Sequence, residues 1–138
     1  MRGACWGLGV WLLVALAARV VPGTEEPRAG DPALARAREV FRQQVQPMLQ
    51  GKCLSCHGDG EELEGDLDLR SREAALRGGK SGPALVPGRA LASLIYQSLR
   101  RTDERRMPPN ERERATPEEI DALKNWIEAG APWDPGEL

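Results

Sequence analysis

The chain has 138 residues, with 19 basic and 21 acidic side chains, a single histidine and a formal charge of −2. That length suits one domain, and the acidic balance excludes nucleic acid as the partner, because a polyphosphate backbone calls for a basic face. Four Trp, one Tyr and one Phe supply little aromatic bulk for a core close to the lower size limit.

Arg2, then an apolar stretch from Gly7 to Ala18 broken by Arg19, reads as an export signal. The stretch is too short to span a bilayer. Small residues permit cleavage after Ala17 or after Gly23; left uncleaved, the leader would be a membrane anchor. Taking residues 1–23 as the signal peptide removes Cys5, Trp6 and Trp11 and leaves no membrane span. It also removes Arg2 and Arg19, so seventeen basic side chains face twenty-one acidic ones and the charge becomes −4. Residues 24–30 (TEEPRAG) are polar with Pro and Gly and read as a disordered linker. The domain is then 31–138, in the periplasm or another exported compartment.

Asp31-Pro32 opens a helix: the carboxylate caps free amides and proline is tolerated in the first turn. Leu34, Ala37, Phe41, Val45 and Met48 recur at helical spacing, which predicts a helix from about Ala33 to about Gln46, bent or ended by Pro47. Gly51 then releases the chain into Cys53-Leu54-Ser55-Cys56-His57.

A Cys-x-x-Cys-His run is the attachment signature of a c-type haem. Each thiol can add across one vinyl group of the same porphyrin, and the adjacent imidazole becomes the proximal iron ligand. Three other readings compete. A structural zinc site needs four N or S ligands, and beyond the leader only Cys53, Cys56 and His57 offer themselves. A thioredoxin-like pair would sit beside a βαβ pattern, and no strand-like run flanks this one. A plain disulfide suits an oxidising compartment.

Residues 58–65 (GDGEELEG) form an acidic loop. Asp59, Glu61, Asp66 and Asp68 do not have the spacing of a calcium loop. Ser71 to Leu76 predicts a short helix stopped by Gly78-Gly79. Gly79-Lys80-Ser81 resembles the end of a phosphate loop, but Ala74 stands where that motif requires glycine. Residues 78–88 read as irregular backbone. Leu91 to Arg101 predicts a helix with Leu91, Leu94, Ile95 and Leu99 on one side. The last helix has a Thr116/Glu119 capping box, Pro117 in its first turn, Gly130 after its end, and Ile120, Leu123, Trp126 and Ile127 on its buried face. The fold class is therefore all-α, with a covalently attached haem expected at the centre of its core.

An iron held by His57 has an opposite face to fill, and with no second histidine a methionine sulfur is the natural ligand. Met48 lies on the apolar stripe of the first helix and is assigned to packing. Met107, fifty residues beyond His57, is followed by Pro108-Pro109, which stiffen a loop suited to covering an apolar face. Arg100, Arg101, Arg105 and Arg106 crowd its approach. They can be solvated, pair with haem propionates, or dock an acidic redox partner.

Together these residues resemble the planctomycete-type cytochrome c domain, within the wider class of small monohaem c-type cytochromes. The resemblance spans about Val40 to Trp133. It rests on Val45-Gln46-Pro47-Met48-Leu49 before the Cys53 run, on Leu67-Asp68-Leu69-Arg70-Ser71-Arg72-Glu73, and on residues 78–88 (GGKSGPALVPG). Met107-Pro108-Pro109 and residues 126–133 (WIEAGAPW) complete it. It implies a cytochrome c-like helical domain wrapped around one covalent haem c, with Cys53 and Cys56 as thioethers and His57 and Met107 as axial ligands. It also implies a Gly82-Pro83 carbonyl that orients the imidazole.

The expected role is an exported single-electron carrier, a monomer and not an enzyme, that exchanges electrons with separate redox proteins. The alternatives are a gas sensor or small haem enzyme with a displaceable sixth ligand, and a haem-bearing subunit docked through its arginines to a larger dehydrogenase complex.

Overall fold

The computed structural model describes residues 31–60, 62–133 and 138. The expected signal peptide (1–23) and linker (24–30) lie outside the described residues. Within them the regular structure is helical: α1 (Pro32–Val40), a π-helical turn (Phe41–Val45), α2 (Gln46–Lys52), α3 (Leu54–His57), α4 (Arg72–Arg77), α5 (Leu94–Arg100) and α6 (Pro117–Glu128). Three 3-10 turns, Glu64–Asp66, Ala90–Ala92 and Glu111–Glu113, punctuate the loops. Strand-like pairing among the described residues is confined to a bridge between Gly79 and Gly82. No described helix is long and apolar enough to cross a membrane.

Asp31 caps α1, its carboxylate accepting from the Ala33 amide at 2.8 Å. The helix does not end at Pro47. Proline lacks an N–H and crowds the carbonyl four residues back, but the turn just ahead of it widens to the π pattern, with the Gln46 amide donating to the Phe41 carbonyl. The helical course thereby continues through Pro47 to Lys52 and delivers the chain directly to Cys53.

At the far end, α6 has the capping box that its sequence announces. The Glu119 amide donates to Thr116 Oγ1 at 3.3 Å and the Thr116 amide to Glu119 Oε2 at 2.7 Å. The helix closes in a Schellman arrangement: Gly130 has φ 94°, its amide donates to Ile127, and the Ala131 amide donates to Trp126. Replacing Thr116 by Ala should cost about 1 kcal/mol, read as a lower denaturant midpoint at unchanged slope.

These two ends meet. Phe41 and Val45 from the π turn, Met48 and Leu49 from α2, and Leu123, Trp126 and Ile127 from α6 are all buried. Phe41 stacks on Trp126 at 5.2 Å between ring centroids, and Trp133 closes on both at 5.0 and 6.0 Å. Three of the four aromatic side chains of residues 31–138 are thus concentrated in one cluster where the π turn meets α6.

The remaining segments hang on backbone bonds. Ser71 caps α4 through the Ala74 amide, and α4 ends at Gly78, whose φ of 72° favours glycine. A Cβ there would lie 1.9 Å from the Gly82 carbonyl oxygen. Residues 84–88 run between helices: the Ala84 and Leu85 amides donate to Ala75, the Ile95 amide to Ala84, and the Gly88 amide to Ile127. Ser93, fully buried, accepts from the Val86 amide at 2.9 Å and lies 3.1 Å from the Arg89 carbonyl. That staple starts α5 at Leu94 and not at Leu91. Leu91 consequently falls in a 3-10 turn and is 71% exposed, while Tyr96 takes the buried place expected of it.

Candidate functional site

Cys53 receives the end of α2, its amide donating to Leu49, and the next residues coil into the single turn α3. The Cys56 and His57 amides both point back to the Cys53 carbonyl, at 3.2 and 2.9 Å. Leu54 faces the core, Ser55 and Cys56 face out, and Cys53 and His57 are half-buried. The turn is clamped from behind by the Leu69 amide, which donates to the His57 carbonyl at 2.8 Å. Gly58 packs closely at that closure: a Cβ would meet Leu54 Cδ2 at 2.9 Å and Arg70 Cγ at 3.1 Å, so those side chains would have to shift.

A longer-range clamp comes from Lys52. Its ammonium group donates to Glu119 Oε2 at 2.6 Å and to the Arg114 carbonyl at 3.2 Å. The carboxylate that completes the α6 capping box therefore also anchors the residue before Cys53. Sequence reasoning missed this contact, and no local signal could have found it, because its partners are 62 and 67 positions away.

Both thiols are free. Burial pushes the Cys53 thiol up to about 11, so at neutral pH it stays protonated, the opposite of the lowered value that a disulfide-exchange pair uses. Among the described residues no three His, Cys, Asp or Glu side chains gather into a metal-holding group. Cys53, Cys56 and His57 are thus spread along one turn and do not converge on a point. Such a set cannot wrap a small ion in tetrahedral array, but it can grip a large planar ring at separate places.

His57 supplies a second indication. Its Nδ1 is buried and has no hydrogen-bond partner among the described residues. The contact from a Gly82-Pro83 carbonyl is therefore not made, and the Gly82 carbonyl instead accepts from the Gly79 amide at 3.3 Å. An imidazole with one nitrogen turned inward leaves the other as its means of binding a metal. The chemistry of this donor set, two thiols and an imidazole on one turn, fits a covalently held haem.

Residues 53–111 match the family model described as Planctomycete cytochrome C. Over that segment the chain is similar to the planctomycete-type cytochrome c family. The match begins at Cys53 and runs past Met107 to Glu111, while residues 45–49 and 126–133, which also enter the sequence resemblance, lie outside it. No curated protein and no solved structure matches the chain. Cytochrome c domains bind haem and serve electron transfer, and the helical architecture of this chain agrees with that class.

The two methionines among the described residues differ sharply. Met48 is 3% exposed and belongs to the core cluster, whereas Met107 is 39% exposed. Met107 is carried on the loop after α5, with its amide donating to the Ser98 carbonyl at 3.1 Å and Pro108 buried behind it. The arginines around it are not equivalent. Arg101 forks onto Asp103 at 2.8 and 2.9 Å, Arg105 reaches the same carboxylate at 3.1 Å, and Arg100 lies 5.3 Å from the Tyr96 ring centroid. The two guanidinium groups hold the Asp103 carboxyl well below the usual carboxylate range.

Proposed function

We propose that this domain is an exported single-electron carrier holding one haem c through thioethers at Cys53 and Cys56, with His57 and Met107 as axial ligands. The observation that carries the proposal is the arrangement of two free thiols and the chain's one histidine along a single turn, with the imidazole Nδ1 buried and unpartnered. The bound haem would supply the one-electron couple.

The chain's own residues do the rest. Cys53, packed against the core, and Cys56, on the exposed side of the turn, would each hold the haem by adding its thiol across one of the two neighbouring vinyl groups. His57 keeps its Nδ1 inward and offers Nε2 to the iron. Met107 would offer its thioether to the iron as the second axial ligand, which would leave no open position for a substrate and suit a carrier and not an enzyme. Electrons pass to and from separate redox proteins, with the domain a monomer in the periplasm or another exported compartment.

The test is expression with its leader in a host that has haem-attachment machinery. The matured wild-type chain should gain the mass of one haem and keep its colour in acidified organic solvent. The Cys53→Ala/Cys56→Ala chain should release all of its colour into that solvent. A colourless wild-type chain of unmodified mass overturns the proposal.

A further inference from the structure

Lys52 stands directly before Cys53, and its ammonium group lies 2.6 Å from Glu119 Oε2. That oxygen also accepts from the Thr116 amide, and the ammonium group also donates to the Arg114 carbonyl, so both charges are fixed in position. Their side chains are only 23% and 26% exposed, and partly buried charges are screened by salt much less than surface ones. Their fields reach the turn. The pKa of the Cys53 thiol is pushed up by burial above all, with Lys52 drawing it down and Glu119 pushing it up. A charge felt at the sulfur that would join the ring is felt at the ring as well, because the Coulomb energy falls only as the inverse of distance.

We infer that Lys52 and Glu119 form a balanced charge pair that sets the potential of the haem iron, the ammonium group favouring the ferrous state and the carboxylate the ferric. This inference rests on the haem reading above and adds to it the residues that tune the couple. The reduced centre carries one positive charge fewer than the oxidised one, so a neighbouring cation stabilises it and a neighbouring anion opposes it. With both charges in place the two effects offset each other. Removing either one unmasks the other. The pair thereby has a second duty besides tying the end of α2 to α6.

The experiment is a spectroelectrochemical titration of the mature haem-bearing protein at low ionic strength. Lys52→Met should lower the ferrous-to-ferric ratio at a fixed applied potential by at least about threefold, a fall of about 28 mV in the midpoint at about 59 mV per tenfold. Glu119→Gln should raise the midpoint by a similar amount, and because glutamine keeps the capping box the shift does not report a weakened helix. The double variant Lys52→Met/Glu119→Gln should return close to wild type. Lys124→Gln, whose lysine pairs with Glu128 further along α6, should leave the midpoint unchanged. A merely structural tie would move both single variants the same way, since a loosened turn admits water to the iron in either case. Shifts of the same sign, no shift in Glu119→Gln, or a shift in Lys124→Gln as large as that in Lys52→Met overturn the inference while the haem reading stands. Because Lys52→Met could fail to mature, Glu119→Gln decides alone in that event. A wild-type chain without haem mass overturns the haem reading, and this inference with it.

Discussion

Replacing Met107 by Ala should abolish the methionine-to-ferric-iron absorption band, lower the midpoint potential, and let carbon monoxide bind rapidly to the reduced protein. A thioether is a soft ligand that prefers ferrous iron, so its presence raises the potential. If it favours the ferrous state by a hundredfold, its loss costs about 120 mV in a one-electron couple. The helical core should stay intact, because the side chain is 39% exposed and lies outside the core cluster, so the stability lost is that of the iron–sulfur bond and not of core packing. A changed spectrum would then report the ligand and not a damaged fold. Met48→Ala supplies the contrast. At 3% exposure inside the core cluster it should cost about 2–5 kcal/mol and leave the absorption band in place. An unaltered spectrum in Met107→Ala removes Met107 from the iron. Tight carbon monoxide binding by the wild-type protein would favour the gas sensor or small haem enzyme over the carrier.

That contrast between two methionines was legible in the sequence, since Met48 shares the helical spacing of Phe41 and Val45 whereas Met107 lies in no periodic run. The haem signature was legible for a similar reason: its donors are contiguous, and one turn of helix suffices to display them. The caps at Asp31, Ser71 and Thr116 are decided within three residues and could be read locally as well. What escaped was whatever depends on distant partners. Pro47 looks like a helix end until the π turn ahead of it is seen to accommodate the missing donor. Leu91 has the spacing of a buried residue, but the Ser93 hydroxyl, bonded to Val86 and Arg89, starts the helix three residues later. Lys52 and Glu119 are separated by most of the domain.

Trp126→Ala should be the most damaging single substitution for stability, and its effect should reach the site. The indole is 1% exposed, stacks on Phe41, meets Trp133 edge-on, and donates from Nε1 to the Pro132 carbonyl at 2.9 Å. Truncating a buried tryptophan to alanine costs about 3–5 kcal/mol, against a total stability of about 5–15 kcal/mol for a domain of ordinary size. For a chain of this length the melting temperature should fall by upwards of about 12 °C. Trp126→Phe keeps most of the ring contact and loses the hydrogen bond, so it should cost about 1–3 kcal/mol. The damage should spread to Cys53 because Phe41 begins the π turn whose continuation through α2 delivers that cysteine, and because α6 carries the Glu119 carboxylate that holds Lys52. Loosening α6 therefore loosens both supports of the haem signature at once. The expected readout is a smaller yield of haem-bearing chain from the same expression host, with Trp126→Phe intermediate between Trp126→Ala and wild type. A normal yield from a Trp126→Ala chain that melts well below wild type would mean that the α3 turn presents its cysteines without help from the aromatic core.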